Sequence, residues 1–180
     1  MSVSALSAQS VLKAALEMAH EQVLEGTMKG VSQELANRPA PGNANPIGSS
    51  YAHVALSEDI IVNGMLQGKP PLFAGSWAGR TGVDKPMPWP GMVEGDLGEW
   101  YHSAKVDLPA VRQYAQAVFA STRDFIESAS DETLAREIEV FSMRMTVATA
   151  FEAFVIGHCN SLGGEISAIK GVFGMKGYPF

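Results

Sequence analysis

His158 and His53 are the side chains of this sequence with the clearest capacity for chemistry. Read as a helix, residues 151–169 place His158 in line with Phe151, Phe154, Val155, Leu162, Ile166 and Ile169. That spacing of three and four marks one helix face. An imidazole in an apolar, core-facing stripe needs a partner, because burying a polar group without one costs free energy. Two arrangements would satisfy it: a bond to a backbone carbonyl or carboxylate, or ligation of a metal ion inside a helix bundle. Spacing alone favours the first. His53 lies in a second apolar segment, with Ser49, Leu56, Ser57 and Ile60 on its face. Such a mixture suits the wall of a small cavity. Imidazoles from two helices can converge in a bundle interior, where metal sites are built. Two histidines are fewer than the three protein ligands typical of catalytic zinc.

The neighbouring polar residues sort by angle. Glu58 and Asp59 follow His53 off its helix face and are poor co-ligands of one ion. Glu165 lies two turns beyond His158 on the same face, placed to support a ligand from behind. His102, in Trp-Tyr-His-Ser at the end of a long loop, is a further candidate donor. His20 has polar neighbours and is expected to face solvent. Cys159, the lone cysteine, cannot form an internal disulfide, and one position round from His158 it reads as a buried, inert thiol. Gly163 and Gly164 each cost a helix about 1 kcal/mol relative to alanine, so they are read as a close approach of another helix.

The elements that must position these groups are helical. Residues 5–25 carry Leu12, Ala15, Leu16, Ala19 and Val23 on one side, with Lys13, Glu17 and Glu21 on another. This is an amphipathic helix ending near Gly26. A short helical piece spans 31–37, and a Pro/Gly/Asn loop spans 38–46. Residues 47–66 read as a second helix, apolar on most sides, which suits a central position or an oligomer contact. Residues 67–106 hold all three tryptophans, five prolines and seven glycines. The tryptophans, and Pro-Met-Pro-Trp-Pro at 86–90, are read as anchors docking this crossover onto its own domain. Asp107 is a predicted N-cap with Pro109 in the first turn, opening a helix with stripe Leu108, Val111, Ala115, Val118, Thr122 and Phe125. Ser130 starts a short helix, and the last long helix runs from near Thr146 through His158 towards Lys170. No segment is read as a strand. The expectation is a single all-α domain over 1–180, a four-helix bundle with one long crossover at 67–106.

Composition narrows the partners. The formal charge is −6 and the pI about 5.2, with no Lys/Arg cluster to replace phosphate counterions. Nucleic acid is therefore not an expected partner. No apolar run is long enough to span a bilayer. Lys13 and Glu17 interrupt the N-terminus early, so no signal peptide is read. Together with the single cysteine, these features point to the cytoplasm.

The segments Ser-Tyr-Ala-His-Val-Ala-Leu-Ser-Glu around His53, Gly-His-Cys-Asn-Ser-Leu-Gly-Gly-Glu-Ile-Ser-Ala around His158, and the ending Lys-Gly-Tyr-Pro-Phe resemble the DinB-like superfamily. The capped starts Val-Asp-Leu-Pro and Ala-Ser-Asp-Glu-Thr-Leu fit its layout. The resemblance implies a four-helix bundle, often dimeric, with a divalent metal held by one histidine of the second helix and a His-x-x-x-His pair of the last. His53 and His158 match the first two ligands; the third falls at Leu162, which cannot ligate. The resemblance and this departure from it together imply a small-molecule-binding or interaction protein with a degenerate site, holding zinc, nickel or manganese weakly or not at all. Ser57, Leu162, Glu165 and His102 would be its surroundings. The alternative is a metal-dependent hydrolase or a transferase using low-molecular-weight thiols. A homodimer is expected from the family and from the apolar second helix.

Overall fold

The computed structural model describes residues 7–180. Four long helices form the frame. Helix α1 begins as Ala8–Glu17, with the Ser7 hydroxyl accepting the Ser10 N–H at 3.1 Å. It continues through a π-helical stretch, Met18–Glu25, and ends with Gly26–Met28. After the short helix α2 (Gln33–Ala36), α3 runs as Ile47–Asp59 and then as a π-helical stretch, Ile60–Leu66. The crossover carries a 3₁₀ turn at Leu72–Ala74 and the short helix α4 (Leu97–Ser103). Helix α5 (Leu108–Ser128) starts at the expected Asp107 cap, with Pro109 in its first turn. The short helix α6 (Asp131–Ala135) is capped by Ser130. The last helix, α7, is Val147–Phe151, a π-helical stretch Glu152–Gly157, and His158–Val172.

Helix α1 packs against α5 and α7, and α3 packs against the same two, which closes the bundle. Leu16, Tyr51, Val54, Ile61, Val111, Val118, Phe151 and Ile166 fill the centre, each almost wholly removed from water. Gly163 lets α7 approach α1: a Cβ there would stand 2.7 Å from Val23 Cγ1. That is the helix approach expected at Gly163; a Cβ at Gly164 would instead stand 2.9 Å from the Tyr178 hydroxyl, which is not in a helix.

All of Ile47–Asp59 is buried within the one chain. The faces of α3 that the bundle does not use are covered by the crossover, whose Met87, Trp89, Trp100 and Tyr101 are themselves buried. Asp59 fixes where this cover starts. Its carboxylate accepts the N–H groups of Leu72 at 2.9 Å and Phe73 at 3.1 Å. It also accepts the Tyr114 hydroxyl and the Asn63 amide, each at 2.7 Å. A buried carboxylate is tolerable when it is this fully bonded.

One element departs from the all-helical expectation. Glu137–Val140 and Met143–Thr146 form an antiparallel hairpin, β1 and β2, in the register Glu137 with Thr146 and Val140 with Met143. Its alternation is short, and its two-residue turn, Phe141–Ser142, has none of the Asn or Gly that mark such turns. Both residues adopt positive φ, 50° and 64°. For a phenylalanine this is a strained conformation.

Candidate metal centre

Helices α3 and α7 bring His53 and His158 together. Their Nε2 atoms lie 3.1 Å apart, with the rings edge to face at 67°. His53 is almost wholly buried and His158 partly so. They wall a cavity of about 160 Å³ with Ser57, Ile61, Trp89, Phe141 and Phe154.

The far nitrogen of each ring has a neighbour of definite character. His53 Nδ1 faces the Met87 sulfur at 3.1 Å, and a thioether only accepts, so Nδ1 carries the hydrogen. That leaves a lone pair on His53 Nε2. Ser57 gives its hydroxyl hydrogen to the His53 carbonyl at 2.5 Å. Its oxygen, 3.5 Å from His158 Nδ1, then offers a lone pair of its own. Without a metal, His158 Nε2–H can donate to His53 Nε2. With the proton moved to His158 Nδ1, on the Ser57 side, both Nε2 lone pairs are free and face each other. The identity of the group on one ring nitrogen sets what the other can do, as in metal-binding histidines generally.

Protons do not compete well for these lone pairs. Burial pushes the His53 pKa down to about 3, and the neighbouring His158 adds to the fall. Burial also lowers the pKa of His158, while the charge of Glu58 opposes that shift. Two nitrogens about 2.0–2.1 Å from one ion stand roughly 2.9–3.4 Å apart at octahedral to tetrahedral angles. The observed 3.1 Å separation lies inside that interval. The donor set is nevertheless incomplete: among the described residues no three His, Cys, Asp or Glu side chains are grouped to hold one ion.

The other sequence candidates separate. Ser57 is at the cavity. Leu162 is buried one turn beyond His158 and is not among the cavity's lining residues. Glu165 is exposed; burial raises the Tyr101 phenol pKa and the Glu165 charge adds to that rise, and Glu165 is not a partner of either imidazole. His102 is exposed on α4 and takes no part. His20 does not face solvent as its polar neighbours suggest: it is 2% exposed, stacks on Phe119 at 4.0 Å and pairs with Glu58 Oε2 at 2.9 Å. It lies in the π-helical stretch of α1, where the angular step per residue differs from that of an α-helix, so the polar face read at 3.6 residues per turn is displaced. Glu58 and Asp59 are off the His53 face, occupied with His20 and with the crossover respectively. Cys159 is fully buried, its Sγ donates to the Ala19 carbonyl at 3.4 Å, and burial pushes its thiol pKa well up.

Three cavity or partner residues, Met87, Trp89 and Phe141, escape the helical reading, whereas Phe154 was already in line with His158. Met87 and Trp89 come from the Pro-Met-Pro-Trp-Pro segment, whose aromatic and proline content signals docking but not its destination. Phe141 comes from the hairpin tip, its ring 5.7 Å from Trp89 and 5.3 Å from Phe154. Phe154 lies in the π-helical stretch just before His158.

This bundle accords with a comparison to known families. The chain matches the family described as the DinB superfamily over residues 15–161. It belongs to the DinB superfamily. Two solved structures share the DinB-type fold. A conserved protein from Enterococcus faecalis superposes with a TM-score of 0.77 at 19% identity, covering 94% of this chain and 99% of the other. A protein described as sibling lethal factor precursor, DfsB, superposes with a TM-score of 0.62 at 18% identity, covering 95% and 99%. No curated protein matches the chain. Among the described residues no helix is long and apolar enough to cross a membrane.

Proposed function

We propose that this DinB-superfamily protein is a small-molecule-binding protein that holds a divalent ion through His53 and His158 alone, with open positions for a ligand from solution. The observation that supports this reading is the pair of facing Nε2 atoms at 3.1 Å, each ring backed by Met87 or Ser57 on its other nitrogen. The residues that would hold the ion are His53 and His158. The chemistry it would supply is Lewis acidity towards an oxygen, nitrogen or thiolate donor. The protein's own contribution is to fix both rings, keep them unprotonated and surround them with Trp89, Phe141 and Phe154.

The alternative is a metal-dependent hydrolase or a thiol transferase. The cavity wall contains no carboxylate to act as a general base. Cys159 is buried on the Ala19 carbonyl and supplies no thiolate. Both observations favour binding over hydrolysis by the protein's own groups. A thiol transferase would need its thiol from outside.

Metal analysis of untagged protein, then calorimetric titration of chelator-treated protein with zinc, nickel and manganese, tests the reading. We expect one saturable site, lost in His158→Ala and His53→Ala. Leu162→His should tighten zinc binding, because it returns an imidazole one turn along the same face. Binding that persists undiminished in both alanine variants, or no saturable binding at all, would overturn the proposal.

A further inference from the structure

The histidine cavity has a larger neighbour. A groove of about 770 Å³ runs along residues 88–97 of the crossover. The two spaces have two lining residues in common, Trp89 and Phe141. These two rings are the wall between them.

The halves of that wall are held differently. Trp89 is buried, and its backbone is closed into a turn: its N–H donates to the Val93 carbonyl at 3.0 Å, and its carbonyl accepts the Val93 N–H at 3.0 Å. Phe141 sits at the tip of the β1–β2 hairpin and is 43% exposed, the most exposed of the residues around the histidine cavity. Helices α3 and α7 carry the other five lining residues, so they are fixed by the bundle itself. The Phe141 ring is placed by its contacts with Trp89 and Phe154, at the expense of positive φ at both turn residues. A bulky residue persists in that region only where its surroundings enforce it, and such residues gather at ligand clamps. A ring held by two aromatic contacts on a solvent-facing turn can be displaced without unpacking a helix.

We infer that Phe141 is the specificity-determining residue of the histidine site: its ring closes the cavity to all but small molecules, and its displacement joins the cavity to the groove so that a ligand with a larger body reaches the two Nε2 atoms. With the ring in place the space is about 160 Å³, below the roughly 300–1,000 Å³ of pockets for drug-sized ligands. The groove alone exceeds that lower bound. What Phe141 selects for rests on the two-histidine reading, whereas closure of the cavity is a property of the rings and is tested without an ion.

Chelator-treated full-length protein is exposed at neutral pH to two histidine-directed reagents, the small diethyl pyrocarbonate and the bulkier para-bromophenacyl bromide. Burial lowers the His158 pKa, so protonation does not limit its reaction. Peptide mass spectrometry follows His158, with the exposed His102 as internal standard. In the wild-type protein we expect His158 to react slowly with the small reagent and not with the bulky one. Phe141→Ala should speed the first reaction on the order of tenfold, because the two aromatic contacts that hold the ring are gone, and should admit the second, with His102 unchanged. Phe141→Leu should fall between. Met143→Ala removes an exposed apolar side chain of the same hairpin that lines neither space, and should change neither rate. Circular dichroism checks the fold, and should Phe141→Ala misfold, Phe141→Leu decides. Wild-type His158 that takes the bulky reagent as fast as His102 does, or equal rates in wild type and a folded Phe141 variant, would overturn the inference. Zinc titration of the wild type separates the two readings: no binding removes the ion and leaves the gate, while binding with reagent rates indifferent to Phe141 removes the gate and leaves the ion.

Discussion

At the scale of single residues, the molecule turns on how buried imidazoles are kept neutral. The metal-free protein should lose stability in acid through His53. Its pKa falls from the ordinary 6.5 to about 3 in the fold because burial disfavours the charged ring. Below about pH 6.5 the unfolded chain takes up a proton that the folded chain refuses, so stability is full above that value. It then declines by up to about 1.4 kcal/mol per pH unit as pH drops towards the folded pKa. Thermal melts in chelator between pH 7.5 and 4 should show this decline, and His53→Leu should flatten it. An equal slope in the variant would place the acid sensitivity elsewhere. Met87 allows a second test. Met87→Leu removes the acceptor on His53 Nδ1 and should lower zinc affinity on the order of tenfold, as loss of outer partners of ligand histidines does. Unchanged calorimetric affinity would mean that the thioether does not orient the ring.

At the scale of elements, Asp59 bonds the start of the crossover to the bundle. Asp59→Ala would leave the Tyr114 hydroxyl and the Leu72 and Phe73 N–H groups without an acceptor. Each buried unpaired group costs about 1–3 kcal/mol, so we expect at least about 3 kcal/mol of lost stability in urea denaturation. A loss below about 1 kcal/mol, less than one unpaired group should cost, would mean that water replaces the carboxylate. The hairpin offers the opposite sign. Ser142 sits at φ 64°, and a left-handed non-glycine residue carries roughly 1–2 kcal/mol of strain. Ser142→Gly should therefore raise the melting temperature by relieving strain of about 1 kcal/mol. Phe141 is different, because its strained backbone delivers the ring to Trp89 and Phe154 over the histidine cavity. The element order was legible from sequence because caps and apolar stripes are local: Asp107 and Ser130 cap the helices they open, and the Leu108–Phe125 stripe is buried. The hairpin was not, because four-residue strands with a Phe-Ser turn carry too little local signal.

At the scale of the whole molecule, the surplus apolar surface of α3 has an internal explanation. The crossover covers it, which removes the argument that led from this helix to a second copy. Large apolar side chains are exposed elsewhere: Val11 and Met18 on α1, Met92 in the crossover, Phe141 and Met143 at the hairpin, Val172 at the end of α7, and Tyr178 and Phe180 beyond it. The family resemblance still points to a homodimer, and light scattering at micromolar concentration tests it against the 19.2 kDa of one chain; the mass of one chain would remove the dimer. A doubled mass would locate a contact on one of those patches and not on α3.

The sequence by itself determined four long helices, the crossover between the second and third, and the presence of His53 and His158 on two core-facing segments. Periodicity and capping act over a few residues, so those features can be read locally. Only the tertiary structure decided that the two imidazoles face each other, that His20 turns inward to Glu58, and that Met87, Trp89 and Phe141 surround the site. Those outcomes depend on contacts between residues distant in the chain. Three of the four long helices also carry π-helical stretches that shift the angular phase on which a sequence reading relies.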